Sequence, residues 1–388
     1  MPLIEEHPTG IDPWATGAQR RYLLTEDGAI RDSEAAGEAV WWVPLADFEL
    51  WMADIERLLG RSLGRRLSNA ASQSEMLRPK LNPVASLMAR LSRARLRQSH
   101  LTVAAEEWSM RGLGKFTVLE SDNQGARIEL ENAAHGALCA GLALAMFERI
   151  DDSAGSHRHR WNDLGDGRAA VLIERDEMMT PAARRLTPDG GPLTPADLRG
   201  SSSDRPHLLE HGRQVGGAVS IDGVRFTAID SESVVRFAES SATVAGQVSR
   251  SAEQQAEGTW SWPAEFGQAS ASVSSAMAEA TMIAFLRSEA LVLAERPEDW
   301  QRIGRQHLSA RGIGAVLSAE SPDLHELRLT CSSCIHPALL AGTLAGCWER
   351  VEGRRAAVRT APMDDHWTVT LQPLHEIAAT SGLTEQLD

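Results

Sequence analysis

Cysteine is scarce. Four in 388 residues are too few for a disulfide framework, so reduced thiols are expected. No run of about 18 or more apolar residues occurs, so no membrane-spanning helix is expected. The opening, MPLIEEHPTGIDPW, lacks the positive start and apolar middle of a secretion signal, which implies a cytoplasmic protein. Positive charge is in deficit: the net charge is −14 and the pI about 5.4. A broad nucleic-acid surface needs clustered Lys and Arg, so no nucleic-acid partner is expected. Tyrosine is nearly absent, with one Tyr against 11 Trp. Tryptophan supplies large apolar area with one N–H donor, which suits cores, pockets and interfaces alike.

Hydrophobic residues make up 43% of the chain, enough for a sizeable core, and the length suggests two or three domains. The chain also repeats itself. RIELENAAHGALCAGLALAMFERI (127–150) aligns without a gap on RLTCSSCIHPALLAGTLAGCWERV (328–351), with eight of 24 positions identical. Upstream, SMRGLG (109–114) matches SARGIG (309–314). This reads as an internal duplication. EAVWWVPLADFELW begins as an apolar strand and turns into a helix, and GVRFTAIDSESVVRF has the same shape. Helices follow at 84–108 and at 271–295 with 297–309. RHRWNDLGDGRAAVLIE and RAAVRTAPMDDHWTVTLQP read as closing hairpins, the second turning at Asp364, Asp365 and His366. The expected layout is an N-terminal tail (1–20), a first domain (21–176), a Pro/Gly/Ser-rich linker or insertion (177–213), a second domain (214–375) and a C-terminal tail (376–388). The fold class is α/β (α+β): two duplicated mixed domains, each a small twisted, mainly antiparallel sheet packed against helices.

In the repeated helix, Pro337 suits the first helical position, so His336 is the expected cap, with His135 in the same place. A small residue recurs every fourth position: Ala137, Gly141 and Ala145, then Ala338, Gly342 and Gly346. Such a stripe lets another backbone approach closely. It predicts a helix packed inside the fold, with an interface between copies or subunits as the alternative. The Glu-Arg end of this helix reads as a solvated tip. Trp41 and Trp42 point to opposite faces of a strand, so one is core and the other lines a pocket or interface.

Cys331, Cys334 and His336 are the candidate metal ligands. Cys347, about ten residues into the helix, lies roughly 15 Å from its start and cannot be the fourth. The repeat favours a plainer reading. Leu130, Ala133 and Met146 stand where Cys331, Cys334 and Cys347 do, and Leu340 stands opposite Cys139. Each cysteine is matched by an apolar residue, as for buried free thiols. No metal or cofactor is therefore expected. Haem attachment is excluded, because Ile335 separates Cys334 from His336. The basic run RLSRARLRQ (90–98) reads as a solvated helix face.

Strand-then-helix openings, the G-x-G turns (Gly112/Gly114, Gly312/Gly314), the helices carrying Gly141 and Gly342, and the closing hairpins resemble the 4-vinyl-reductase domain, a relative in fold of the small subunits of the TRAPP vesicle-tethering complex. The resemblance covers 21–175 and 214–373 as two copies. It implies a mixed α/β fold that tends to dimerise, here as an internal pseudo-dimer. It also implies binding of small apolar molecules, sensing of aromatic compounds, assistance to bacteriochlorophyll synthesis, or assembly building. Aromatic-sensing members carry zinc on cysteines and an acidic residue near the domain end. The hairpins 157–175 and 354–373 contain no cysteine, a departure that weighs against zinc-supported sensing.

No catalytic constellation emerges. The leading expectation is a non-enzymatic binding or assembly subunit that engages a protein partner or its own copies. The alternative is a sensor or accessory protein that binds an aromatic, acyl or tetrapyrrole-like molecule. An enzyme is the weakest reading.

Overall fold

The computed structural model describes residues 12–78, 93–122, 124–151, 155–176, 184–186, 205–245, 259–323, 325–332 and 335–374, with the backbone alone at 93–99, 151 and 244. Cys334, the 376–388 tail, most of the 177–213 linker and the side chains of the basic run lie outside these residues.

Two groups of three strands build one shared sheet. β1 (Tyr22–Leu24), β2 (Ile30–Asp32) and β3 (Glu38–Pro44) come from the first segment. β8 (Gly212–Val215), β9 (Ala218–Ile221) and β10 (Val224–Asp230) come from the second. The order is β1-β2-β3-β10-β9-β8, with β3 and β10 antiparallel at the centre, Val40 opposite Asp230 and Pro44 opposite Phe226. The sequence reading assigns one sheet to each segment. The third, shared sheet forms where EAVWWVP and VRFTAID, buried through Val40–Pro44 and Phe226–Asp230, pair with each other.

β3 runs directly into α2 (Leu45–Leu59), followed by α3 (Gly64–Met76) and α4 (Arg93–Met110). Then come β4 (Lys115–Ser121), β5 (Gly125–Glu131), α5 (Gly136–Asp151), β6 (His157–Gly165) and β7 (Arg168–Arg175), in a sheet ordered β4-β5-β7-β6. β10 likewise runs into α6 (Ser231–Ala245). Beyond it lie β11 (Trp260–Ser261), α7 (Gly267–Arg287) and α8 (Asp299–His307). β12 (Val316–Asp323), β13 (Glu326–Ser332), α9 (Pro337–Glu352), β14 (Ala356–Met363) and β15 (His366–Pro373) complete the chain, in a sheet ordered β11-β14-β15-β13-β12. The class is mixed α+β, as expected, and every strand pairing is antiparallel except β11 with β14.

The segments grip each other reciprocally. Gly112 (φ 70°) and Gly312 (φ 79°) end the helical stretches in the left-handed region, where glycine carries no Cβ penalty. A Cβ on Gly112 would strike the Phe226 carbonyl of β10, and one on Gly312 would strike the Val40 carbonyl of β3. Each RG-x-G turn is thus glycine for two reasons, one conformational and one of close approach to the other segment.

β3 is covered on both faces, and Val40 to Pro44 are all buried. Trp42 meets Trp14 and Tyr22 edge-on, with centroids 6.0 and 5.2 Å apart. Trp41 meets Phe48 and Trp51 on the opposite face, at 6.2 and 5.5 Å. Neither Trp41 nor Trp42 is available to a surface interface, which corrects that part of the sequence reading. The cover over Trp42 is α1 (Pro13–Arg21), with Asp12 capping the Trp14 N–H at 2.8 Å and Trp14, Ala15 and Ala18 buried. Helix α1 therefore lies inside the stretch read as a tail. Leu209, from the end of the linker, is buried in the same cluster.

The stretch Ala264–Arg287 is long and apolar enough, by length and composition, to cross a membrane. It is interrupted by polar positions, so counting apolar runs does not flag it. Here it is a packed core helix: Met277, Ala278 and Met282 are fully buried. The Trp51 indole N–H of α2 bonds to the Met277 carbonyl at 3.3 Å and the Thr281 hydroxyl at 3.0 Å.

Candidate functional site

The repeated helices α5 and α9 pack inside the fold, each against one long neighbour. A Cβ on Gly141 would run into the Ser68 carbonyl of α3, and one on Gly342 into the Ala278 carbonyl of α7. Gly346 faces the Phe285 ring. Ala137, Ala145 and Ala338 are buried beside them. The small-residue stripe thus serves helix-to-helix approach within each segment.

His336 caps α9, its Nδ1 accepting from the Ala338 N–H at 3.2 Å. Burial pushes its pKa down to about 4, so the ring is neutral and its lone pair free to accept. His135 holds the same place before α5, and burial lowers its pKa too. Cys331 lies in β13 between Val316 and Trp367 and is fully buried. Cys139 and Cys347 are also buried, and burial raises both thiols. Among the described residues no three His, Cys, Asp or Glu side chains are grouped to hold a metal ion.

In the first copy the Glu-Arg helix end is not a solvated tip, while in the second Arg350 is exposed, as expected. Glu148 is buried and accepts from the Gly155 and His157 backbone N–H groups, both at 2.9 Å, which fixes the start of β6. Glu349 accepts from Ala356 at the start of β14, at 3.2 Å. Arg149 turns inward to Glu75 at 2.5 Å and joins a chain of ion pairs. Arg111 bridges Glu75 and Asp230, both at 2.8 Å, and Arg78 bridges Asp230, Asp32 and Glu107 at 2.7 to 2.8 Å. Arg21 closes the chain on Asp32 and Glu107 at 2.6 and 2.7 Å. Burial alone would raise the Asp32 and Glu107 carboxyls, but the Arg21 and Arg78 guanidinium groups reverse this and hold both well below the usual range. Four arginines and four carboxylates cancel. The cluster joins α1, β2, α3, α4, α5 and β10, and its buried charges satisfy one another.

Besides a hollow of about 150 Å³ lined by Trp300, His325 and Trp348, two concave features stand out among the described residues. The first is an apolar cavity of about 20 Å³ between α4, β4, β5 and α5, lined by Trp108, Phe116, Ile128, Met146 and Phe147. It holds one water-sized centre. The Trp108 indole N–H, buried in its wall, has no hydrogen-bond partner among the described residues.

The second is a groove of about 760 Å³ between α3 and β6. Arg65, Asn69 and Ser72 of α3 form one wall, and His159, Arg160 and Trp161 of β6 the other. Ser68 Oγ and His159 Nε2 share a 2.5 Å hydrogen bond at its floor, and the His159 and Trp161 rings stack at 5.9 Å. Burial, helped by Arg65, lowers the His159 pKa to about 4. Arg158 and Arg160 are exposed, reaching Glu174 at 3.3 and 3.7 Å. On a chain of net charge −14 this is a locally basic place.

β6 is the outer strand of its sheet. Its counterpart β14 is not outermost, because β11 lies along it in parallel, with Trp260 opposite Val358 and Ser261 opposite Arg359. The Val358 N–H bonds to the Thr259 carbonyl at 2.7 Å. Trp260 donates to Glu279 at 3.1 Å and Trp262 to Ser275 at 2.9 Å, both on α7. The groove beside β6 is thus the place that the second segment fills with its own residues 259–262. Sequence reading placed the hairpin correctly but passed over this site. The available signals were RHRW, where arginine alternates with ring residues, and TWSW, which lies in a stretch the first segment lacks between α2 and α3.

Comparison with protein-family models, with curated proteins and with solved structures finds no match to this chain.

Proposed function

We propose that this chain is a non-enzymatic binding or assembly subunit, and that it engages a protein partner through the groove between α3 and β6. One observation carries the reading. The outer edge of β14 is covered by β11, while among the described residues the matching edge of β6 borders an open basic groove. An uncovered edge strand presents backbone N–H and C=O groups ready to pair with another chain. The ion cluster does not compete as a reactive centre, since each of its charges is matched. The recurrence of the order β4-β5-β7-β6 as β12-β13-β15-β14 favours a duplication, and we read the two copies as 4-vinyl-reductase-like domains.

Light scattering after gel filtration, with native mass spectrometry, tests this on the purified protein and on the Arg65→Glu/Arg160→Glu variant. Both side chains are on the surface, so the fold is retained. The expected result is a partner protein bound to the parent chain and lost from the variant. A variant that keeps every partner would overturn the reading.

A second reading places an apolar small molecule at the Trp108 cavity, favoured by its lining and by the unmatched indole N–H. Any ligand larger than a water requires the walls to part. Quenching of tryptophan fluorescence by an aromatic probe, lost in Ala143→Trp, tests it.

A further inference from the structure

The β11 site fixes the mode of binding and the chemistry of the occupant at the β6 groove. Matching rungs follow from the sheet registers. Arg127 pairs with Leu172, which pairs with Arg160; the equivalent Arg328 pairs with Thr370, which pairs with Arg359. Arg160 therefore stands where Arg359 stands, and His159 where Val358 does. The helical wall is matched through the glycines. Gly141 approaches the Ser68 carbonyl as Gly342 approaches that of Ala278. Counting from those carbonyls, Arg65 takes the place of Ser275 and Asn69 that of Glu279.

In the filled site, Ser275 accepts the Trp262 indole N–H. Arg65 cannot accept; it offers only donors and a positive charge. The occupant's residue at that place must bring an acceptor, and a carboxylate meets the need best. Asn69, at the place of Glu279, retains a carbonyl acceptor, so an indole N–H opposite it still has a partner. Arg158 and Arg160, which share Glu174, add net positive charge along the strand, and Asp176 is the one acidic residue lining the groove.

Resting on the reading above, we infer that the groove takes an extended acidic segment of a partner protein, added in parallel to the edge of β6. Its backbone pairs at His159 and Arg160, and a carboxylate two residues beyond an aromatic side chain reaches Arg65. Main-chain pairing supplies affinity in such strand addition, and the flanking side chains supply specificity.

The probe is a fluorescein-labelled peptide with the sequence of residues 258–265 carrying Trp262→Glu. Fluorescence anisotropy is read on the full chain. The expected result is saturable binding, weakened at least tenfold by Arg65→Glu. Methylating the peptide's backbone nitrogen at position 261 weakens it by at least as much, because methylation removes the ladder donor that faces the strand and leaves the charges. The peptide with Trp262 retained binds at least tenfold more weakly than the Trp262→Glu peptide.

Binding that Arg65→Glu weakens but methylation does not would leave the groove as the site and overturn strand addition. Equal binding of the two peptides would overturn the acidic preference. Absence of binding, or binding indifferent to Arg65→Glu, would overturn the inference, while the copurification experiment judges the groove reading separately. Binding of single-stranded RNA that competes with the peptide would also overturn a protein occupant. So would a concentration-dependent dimer abolished by Arg65→Glu, which makes a second copy the occupant.

Discussion

His159 and Val358 stand on matching rungs of two sheets, and among the described residues only Val358 has a further strand along its outer side. Val358 is 3% exposed beneath Trp260, while His159 lines an open groove and is held at its floor by Ser68. This difference between the two sheets locates the proposed site.

The glycine stripe is expected to be intolerant. Gly141→Ala improves helix propensity by about 1 kcal/mol. It also drives a methyl into the Ser68 carbonyl, and overpacking of this kind costs about 1–3 kcal/mol. The net expectation is a lower urea midpoint at unchanged slope for Gly141→Ala, and the same for Gly342→Ala. A rise in midpoint for both would show that the helices are not in contact there.

The ion cluster is expected to be fragile to single removals. Asp230→Asn leaves Arg78 and Arg111 short of a counter-charge and should cost about 3–5 kcal/mol by urea unfolding. Arg57→Ala, which removes an exposed arginine from Asp54 and leaves Asp54 its pair with Arg287, should cost less than about 1 kcal/mol. Equal costs would place the cluster in contact with solvent.

The cysteines are expected to be replaceable. Cys331→Val should change stability by less than about 1.5 kcal/mol, as similar-sized core exchanges do. The unfolding midpoint of the parent chain should not move with EDTA. A chelator-dependent loss of folding, abolished by Cys331→Val, would restore the metal reading.

Stability is expected to fall on mild acidification. His159 and His336 titrate near 4 in the fold against 6.5 when free. Between those values the unfolded chain binds protons that the folded chain does not, so their contribution is full above about 6.5 and is lost as pH falls towards 4. Asp32 and Glu107, held low by Arg21 and Arg78, add a further loss below the ordinary carboxylate range. Thermal midpoints from about pH 7.5 down to about pH 3 check this. His336→Asn, which keeps a capping acceptor without titrating, should flatten the curve.

Much of this was legible in the sequence. The repeat around Gly141 and Gly342, the RG-x-G turns, the His336 cap and the closing hairpins all obey local rules, and the fold follows them. What was hidden depends on long-range neighbours. Trp41 and Trp42 look alike in sequence; Trp41 is covered by Phe48 and Trp51 of the helix that follows it, but Trp42 is covered by Trp14 of α1, which arrives from elsewhere. Arg149 looks solvated because Glu75 lies a whole helix pair away. The groove is invisible in either half alone, since it appears only when Arg65 and His159 are set beside Ser275 and Val358.

Hydrogen–deuterium exchange at β6 and β14 tests the central claim most directly. In the chain alone, the outward amides of residues 158–161 should exchange much faster than those of 357–360, which β11 protects. Adding the acidic peptide should slow exchange at 158–161 and leave 357–360 unchanged. Equal protection of the two strands in the chain alone would show that the β6 edge is already covered, and would contradict the account.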